Sequence, residues 1–343
     1  MEKINIDVSA STPIYKQIIG EIRTRVTSGS LQSGEQIPSI NNLADELRIS
    51  KDTVKKAYAA LRKEGLVDSF HGKGFFIAAP RDNSKMRILL LFDKLSPIKQ
   101  DLFQTFTTRV SGQAELTVRF HNQDVDLLGH YLDESLDNFD YYLVSPHFKL
   151  DEHTQRSAIR LLSRIPNRKL ILIDRQMPRL PGNYGAVYQD YNQDIYDALS
   201  GCIDRLRDFS MLNVIMVPDS LYHSEISAAV KRFCKTFGIK AHYLSETTPE
   251  DIRKGEVYLI LNSQLDTALK VIALQARSKG YVIGKDIGMI SYNESPLSEI
   301  VLNGLTTVST DFAQMGALAA EMVLSGELQK IKCDFRIHRR ATF

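Results

Sequence analysis

The stretch IPSINNLADELRISKDTVKKAYAALRKEGLV, residues 37–67, decides the fold of the N-terminal part of the chain. Two short helical patterns lie on either side of a turn at 48–50, with Ser39 as N-cap of the first and Ser50 or Asp52 as N-cap of the second. Apolar residues recur on one face of each pattern, at Leu43, Ala44 and Leu47 and then at Val54, Ala57, Tyr58 and Leu61. The pattern fits two packed helices with solvated charges, and it also fits a helix-turn-helix unit that reads DNA.

The sequence on either side of this stretch completes a small domain. An amphipathic helix is predicted after Pro13, because apolar residues recur there every four positions, at Ile14, Ile18, Ile22 and Val26. Downstream, GLVDSFHGKGFFIA (65–78) predicts a short β-hairpin with its turn around 72–74. The N-terminal part is therefore predicted to be α+β, with three helices followed by a wing.

Polar and basic side chains occupy the positions that a DNA-reading helix would present to the major groove. The leading turns of the third helix carry Ser50, Lys51, Thr53 and Lys55, which suit phosphates or base edges. Ser39 offers a hydroxyl at the start of the preceding helix, and Lys73 lies between two glycines at the wing tip. Any one of these lysines is more often part of a solvated helix face. The joint occurrence of helix, turn, helix and wing favours DNA reading.

These residues resemble the winged-helix domain of GntR-family regulators throughout residues 11–78, in PIYKQIIGEI, in SGSLQSGEQIPSINNLADELRISKDTVKKAYAALRKEGLV and in GKGFFI. The resemblance implies a dimer that binds a palindromic operator in double-stranded DNA. The positions that match the family's DNA contacts are Ser39, Asn41, Lys51, Thr53, Lys55, Gly72 and Lys73. Asn41 stands where the family usually has an arginine, and Lys51 where it often has one. Because arginine makes bidentate contacts to guanine, we expect a base preference that departs from the family's usual operator.

After the polar stretch AAPRDNSK (78–85), the pattern changes to alternating strands and helices. Near-continuous apolar strands that alternate with helices predict parallel sheets covered on both faces. So many strands over about 250 residues suggest two such sheets with a ligand cleft between them. The predicted strands are 86–93, 115–121, 139–146, 169–174, 212–218, 240–245, 257–262 and 287–293. We therefore divide the chain into a DNA-binding domain (1–78), a linker (79–85) and an effector and dimerisation domain (86–343).

The C-terminal part resembles the periplasmic-binding-protein-like domain of LacI-type regulators over about residues 86–343. KLILIDRQMP, VYQD, LILNSQLDTALKVIALQARSKGYVIGKDIGMISYNES, LTTVSTDFAQMGALAAEMVLSGE and FRIHRRAT follow that family's order and spacing. The resemblance implies a small-molecule effector, most often a sugar, held between two lobes. The candidate ligand-binding residues are Phe92, Asp93, Ser145, Asp174, Arg175, Asp190, Tyr222, Glu225, Asn262 and Asn293. The arginine that the family usually supplies near Tyr222 is missing, and Asn293 replaces the usual aspartate, so the ligand is expected to differ from the common one.

Several of these residues also have structural readings. Asp174 and Arg175 can form an ion pair at a strand end, and Asp190 can cap the helix that follows it. Phe92 can belong to the core, and Tyr222 to an exposed loop. If Asp93 and Asp174 are ligand-facing carboxylates, they favour neutral sugars over phosphosugars unless Arg175 intervenes.

Composition sets the remaining expectations. The formal net charge is +2, and the hydrophobic and charged fractions of 43% and 24% are typical of soluble globular proteins. The N-terminus has no signal peptide pattern, and apolar runs such as 88–92 are too short for a bilayer. The cysteines Cys202, Cys234 and Cys333 lie far apart, and His121, His147 and His153 have no metal-ligand spacing. We expect a cytoplasmic protein without membrane segment, metal or cofactor.

The leading interpretation is a transcription regulator, a repressor released by a monosaccharide or sugar derivative. The alternatives are a regulator of a non-sugar metabolite and an enzyme with a DNA-binding appendage, such as a pyridoxal-phosphate aminotransferase fusion. The second requires a Schiff-base lysine after a strand in a longer catalytic domain, which the sequence does not show. No glycine-rich phosphate loop or HExxH motif appears either. We expect no enzymatic activity.

Overall fold

The fold is that of a computed structural model, which describes residues 4–7, 9–10, 12–70, 74–78, 85–94, 96–216, 221, 223–261 and 267–343. The chain separates into two compact units, Met1–Lys85 and Met86–Phe343. Most of the linker predicted at 79–85 falls outside the described residues. Its exact limits stay a prediction.

The first unit contains the predicted three helices and a small antiparallel sheet. The helices are α1 (Ile14–Thr27), α2 (Ile40–Leu47) and α3 (Lys51–Lys63), and the strands are β1 (Gln36–Ile37), β2 (Val67–Phe70) and β3 (Gly74–Ile77). The strand order is β1-β3-β2, so the predicted hairpin gains a third, short strand that was not predicted. The apolar faces predicted for the helices meet in one core, which includes Ile18, Ile22, Leu43, Val54 and Leu61.

The second unit is α/β. In chain order its helices are α4 (Pro97–Val110), α5 (Val125–Ser135), α6 (Glu152–Leu162), α7 (Asp194–Ser200), α8 (Ile203–Leu206), α9 (His223–Phe237), α10 (Thr267–Ser278) and α11 (Phe312–Ser325). Its strands are β4 (Met86–Phe92), β5 (Ala114–Phe120), β6 (Tyr141–Val144), β7 (Leu170–Asp174), β8 (Gly185–Tyr188), β9 (Met211–Ile215), β10 (Ala241–Leu244), β11 (Glu256–Ile260), β12 (Gly288–Tyr292), β13 (Thr306–Thr310), β14 (Lys330–Lys332) and β15 (Phe335–His338).

These strands form two sheets, one in each lobe. The first-lobe sheet is parallel throughout, in the order β14-β8-β7-β6-β4-β5. The second-lobe sheet has the order β10-β9-β11-β12-β13-β15, and only its edge strand β15 is antiparallel. Each sheet has a buried apolar cluster on each face, as expected for parallel sheets. The predicted two-lobed α/β architecture is confirmed.

The chain passes between the lobes where β8 leads to α7, where β13 leads to α11, and where β14 leads to β15. Strand β13 (TTVST) was not among the predicted strands, because its residues are mostly hydroxylic and give no apolar signal. All of them are buried. Their hydroxyl groups are satisfied locally, as when Thr306 Oγ1 donates to Arg340 O (3.2 Å) and Ser309 Oγ to Thr310 O (3.0 Å).

Candidate DNA-binding surface and effector site

The turn between α2 and α3 is built by two serine caps and one left-handed residue. Ser39 Oγ accepts from Asn42 N (3.1 Å), and Ser50 Oγ accepts from Thr53 N (3.2 Å). Arg48 has φ 54°, which ends α2 and lets α3 begin after three residues. The Ser39 hydroxyl is an acceptor here and keeps a proton that can be donated to a phosphate, whereas Ser50 Oγ also lies 2.8 Å from Thr53 Oγ1.

The outer face of α3 carries the predicted basic residues. Lys51 and Lys55 are exposed and Thr53 is half-buried, while Asn41 is exposed on α2. Lys55 Nζ lies 3.6 Å from Asp52 Oδ1, and both groups are strongly exposed. This pair is therefore weak and leaves Lys55 available for phosphate. Lys56, by contrast, lies over the ring of Tyr15 at 4.1 Å and faces α1.

The inner face of α3 fixes the helix on the rest of the domain. Tyr58 Oη donates to Pro38 O (2.8 Å), directly before the cap of α2. The Tyr58 ring also packs edge-on against Phe75 of β3, with the centroids 4.8 Å apart. One buried tyrosine thus links the candidate recognition helix to the preceding helix and to the hairpin. The wing-tip candidates Gly72 and Lys73 lie outside the described residues.

Three predicted effector positions and one unpredicted one lie together at carboxyl ends of strands in the first lobe of the second unit. Asp93, Ser145, Asp174 and Gln189 directly follow or end β4, β6, β7 and β8. Lys99, in the first turn of α4, contacts Asp93 Oδ1, donates to Ser145 Oγ (3.0 Å) and lies 3.3 Å from Asp174 Oδ2. Carboxyl ends of parallel strands are where ligands bind in open α/β sheets.

The network continues from Asp174 to the second lobe. His147 Nε2 lies 2.7 Å from Asp174 Oδ2, and Gln189 Nε2 donates to Asp174 Oδ1 (2.5 Å). Thr310 Oγ1, at the end of β13, donates in turn to Gln189 Oε1 (3.0 Å). A chain of polar contacts therefore links the strand ends of one lobe to the other.

The charges of this network are paired. Asp93 and Asp174 are only 2% and 3% exposed, and Lys99 is 8% exposed. Burial opposes ionisation of both aspartates, but attraction to His147 and Lys99 outweighs it and holds the pKa of each below its usual value. Unpaired carboxylates would have disfavoured phosphosugars, as expected from the sequence. Because both are paired with Lys99, their repulsion of an anion is smaller than expected.

Apart from Phe92, the remaining predicted effector positions are half-buried or lie outside the described residues. Arg175 Nη2 lies 3.6 Å from Glu225 Oε1 on α9, an ion pair between the lobes, and both side chains are half-buried. Asn293 is half-buried at the end of β12. Asp190 Oδ1 accepts from Asn192 N (3.0 Å) and Gln193 N (3.2 Å) in the turn that precedes α7, whose N-cap is Gln193. Tyr222 and Asn262 lie outside the described residues.

Phe92 lies in the core of the first lobe. Its ring centroid is 6.2 Å from that of Phe103 and 6.3 Å from that of Phe120. The side chain is 4% exposed. Phe92 is therefore part of the core, which was the structural alternative to a ligand contact.

His121 contacts this network through the backbone of Ser145. Its Nε2 lies 2.9 Å from Ser145 O, so the neutral ring donates through Nε2, and its ring packs on Phe148 with the centroids 4.6 Å apart. Its Nδ1 is buried and accepts no hydrogen bond within the described part of the chain. Burial lowers the pKa of His121 to about 4.

Sequence reasoning missed Lys99, Gln189 and Thr310, and considered His147 only as a metal ligand. Lys99 lies two residues after Pro97, in the first turn of the helix that follows the buried strand β4. Its position just after a buried strand could have indicated a site residue. Within the described ranges, no three His, Cys, Asp or Glu residues converge as a metal site. No described helix is both long enough and apolar enough to cross a membrane.

Two regions of the chain match known protein families. Residues 14–77 match the bacterial regulatory proteins of the gntR family, and residues 260–330 match the periplasmic binding protein-like domain. The HTH-type transcriptional repressor YtrA of Bacillus subtilis is 36% identical over 101 residues, which cover 29% of this chain and 74% of that protein. That match identifies the N-terminal domain.

Two further proteins are similar over most of the chain. The arabinose metabolism transcriptional repressor of Geobacillus stearothermophilus is 21% identical over 341 residues, covering 91% of this chain and 90% of that protein. The structure of the trehalose repressor from Escherichia coli has a TM-score of 0.57 and 15% identity, and covers 74% of this chain and 100% of that one. At this identity the structural likeness shows the fold of the C-terminal domain.

Proposed function

We propose that the chain, which belongs to the gntR family of bacterial regulatory proteins, is a repressor whose affinity for operator DNA is controlled by a small molecule bound between its two lobes. The observation that carries the effector part is the convergence of polar side chains from four strand ends of one lobe with Thr310 of the other. Such a network responds to any ligand that changes the spacing of the lobes.

The proposed DNA contacts lie on α2, on α3 and on the wing. α3 enters the major groove with its N-terminal turns, where Lys51 and Lys55 are exposed. The serine caps hold the backbone N–H groups of both helix N-termini towards phosphates. The full set is Ser39, Asn41, Ser50, Lys51, Thr53 and Lys55, with Gly72 and Lys73 at the wing tip.

A selection from random double-stranded DNA, followed by titrations at several salt concentrations, tests this surface. We expect Lys55→Ala to weaken binding to the selected sequence and to reduce the slope of log affinity against log salt by about 1, because one phosphate contact is lost. Lys240→Ala removes the same charge from an exposed site in the second unit and is the matched control. Equal salt slopes for the two variants would contradict the proposed recognition face.

The proposed effector is a monosaccharide or a close derivative. Sugar hydroxyls both donate and accept, and they match the carboxylate, amide and guanidinium groups at this site. Asp93 Oδ2 accepts no hydrogen bond from a described residue and remains for a ligand hydroxyl. The two repressors that match most of the chain are named for arabinose and trehalose, which supports the sugar class.

A thermal-shift screen with neutral monosaccharides and their phosphates identifies the effector. A true effector raises the Tm of the second unit and changes operator affinity by a factor of about 5–150, the usual range of allosteric coupling. If no compound in the panel changes either quantity, sugar sensing is wrong, and the metabolite class must be sought elsewhere.

We also propose that the chain works as a homodimer in the cytoplasm, where its operator is. Two copies match the two halves of a palindromic site, and closing of the lobes on an effector alters the spacing of the paired DNA-binding domains. The relatives are regulators, which favours regulation over enzymatic activity.

A further inference from the structure

Asp93, Ser145 and Asp174 lie at strand ends of the first lobe, and we call them the floor of the proposed effector site. This floor already holds a cation, the ammonium group of Lys99. Its Nζ contacts Asp93 Oδ1, donates to Ser145 Oγ (3.0 Å) and lies 3.3 Å from Asp174 Oδ2. Ser145 Oγ donates to the same oxygen of Asp93 (3.0 Å). A lysine ammonium has three N–H donors; Asp93 Oδ1 and Ser145 Oγ accept hydrogen bonds from it here, and Asp174 Oδ2 forms an ion pair with it.

The position of Lys99 in the helix does not favour a lysine. It lies in the first turn of α4, after the N-cap Ser96, and a positive charge is unfavourable beside the positive end of a helix dipole. It is also buried, which is costly for an unpaired ammonium group. The two aspartates outweigh both effects. The strand ends therefore form a site with the charge and acceptor geometry of an ammonium receptor.

We propose that this floor is an ammonium-binding subsite that the chain fills with its own Lys99, and that Lys99 thereby sets the charge class of the effector. With the lysine in place, its ammonium group occupies the position between Asp93 Oδ1, Ser145 Oγ and Asp174 Oδ2 that a protonated amine would take. The effector is then recognised by the other candidate groups, such as Asp93 Oδ2, Arg175, Glu225 and Asn293. This specificity role rests on the proposed effector site, whereas the ammonium subsite is testable without any effector.

Chemical rescue of a truncated lysine tests the subsite. Lys99→Ala keeps Cβ, and n-propylammonium supplies the missing three carbons and the ammonium group. We expect the substitution to lower the Tm of the second unit by about 10 °C, because it leaves two buried carboxylates without their counter-ion. About 100 mM n-propylammonium chloride should recover at least half of that loss through binding to the folded state.

The controls separate binding from general salt effects. Tetramethylammonium has the same charge but no N–H donor, so its chloride should recover no more than sodium chloride. The wild-type protein and Lys94→Ala, an exposed lysine five positions earlier, should show no selective response. Equal effects of the three salts on Lys99→Ala would overturn the proposal.

Should Lys99→Ala fail to fold, the double variant Asp93→Asn/Lys99→Ala removes one of the opposed charges and keeps Asp174 and Ser145 as acceptors. Selective rescue of this variant supports the subsite, and its absence overturns it. The two proposals fail separately. A wild-type protein that responds to no monosaccharide contradicts sugar sensing alone, whereas sugar responses without amine rescue contradict the ammonium subsite alone.

Discussion

Asp174 and Asn293 occupy the same kind of backbone position in the two lobes. They end or follow β7 and β12, and their φ angles are 73° and 74°, in the left-handed region that non-glycine residues rarely adopt. Each such residue costs about 1–3 kcal/mol and persists only where its surroundings fix it. At Asp174, the contacts with Lys99, His147 and Gln189 fix it.

His121 should make the stability of the second unit depend on pH. Its pKa is about 4 in the folded protein and about 6.5 when unfolded, so the unfolded state binds the proton first as the pH falls. Stability should therefore decrease from pH 6.5 to 4, by up to about 3 kcal/mol. Urea unfolding at a series of pH values measures this slope.

His121→Gln is the informative comparison. The glutamine amide can still donate to Ser145 O but does not titrate, so its slope between pH 6.5 and 4 should be smaller than that of the wild type. The groups around the ring are Asp93, His147 and Lys99, and they remain in both proteins. Parallel pH profiles for the two proteins would show that His121 is not responsible. The aspartates, with lowered pKa values, contribute in a separate window below about pH 4.

Among the elements, α4 and α11 make an unusually close contact, and a glycine permits it. A Cβ atom on Gly316 would lie 2.3 Å from Leu102 O and 3.1 Å from Phe106 N, both backbone atoms of α4. α4 also carries Lys99, and α11 begins directly after β13 and Asp311. The packing of these two helices therefore helps to position the site and the crossing between the lobes.

Gly316→Ala should destabilise the second unit by about 2 kcal/mol or more, because rigid backbone atoms must move apart. This loss exceeds the gain of about 1 kcal/mol in helix propensity. Gly129→Ala in α5 is the matched control, since its Cβ would meet only the side chain of Leu161 at 3.5 Å. The control should be neutral or slightly stabilising in urea unfolding. A Gly316→Ala protein as stable as Gly129→Ala would refute the close contact.

The predicted helices of the first unit were confirmed because their signals are local. Ser39 and Ser50 cap the helices predicted from them, and the apolar spacing alone placed their inner faces. β1 was not predicted, since a strand of two residues is too short to show an alternating pattern and pairs with β3 only after the domain has folded. Capping and periodicity act within one or two turns, and that is the range over which sequence is informative.

At the scale of the whole molecule, the exposed apolar residues of the second lobe are candidates for the interface of the proposed homodimer. Leu274, Leu297 and Ile300 are 55%, 55% and 72% exposed. They belong to α10 and to the segment at 296–300, next to the core cluster on that face of the second sheet. Large exposed apolar side chains of this kind often mark interfaces.

Ile300→Glu should shift the protein from dimer to monomer, since a carboxylate would be buried without a partner in the interface. Sedimentation equilibrium over a range of concentrations measures the dissociation constant. Leu150→Glu changes an exposed leucine of the first lobe and should leave the dimer intact. If both variants dimerise like the wild type, the interface lies on another face.

The sequence by itself determined the two-domain architecture and most of the order of its elements. Capping serines, apolar periods and strand lengths are local properties, so the pattern alone placed Ser39, Lys51 and Lys55 at helix starts, while Asp93 and Asp174 were proposed from the resemblance to a known family. Only the tertiary structure decided which of them act together. Lys99 meets Asp93 and Asp174, and Thr310 meets Gln189, because strand ends far apart in sequence meet at one edge of the sheet. Charge pairing depends on distance in space, and one-dimensional spacing does not encode it.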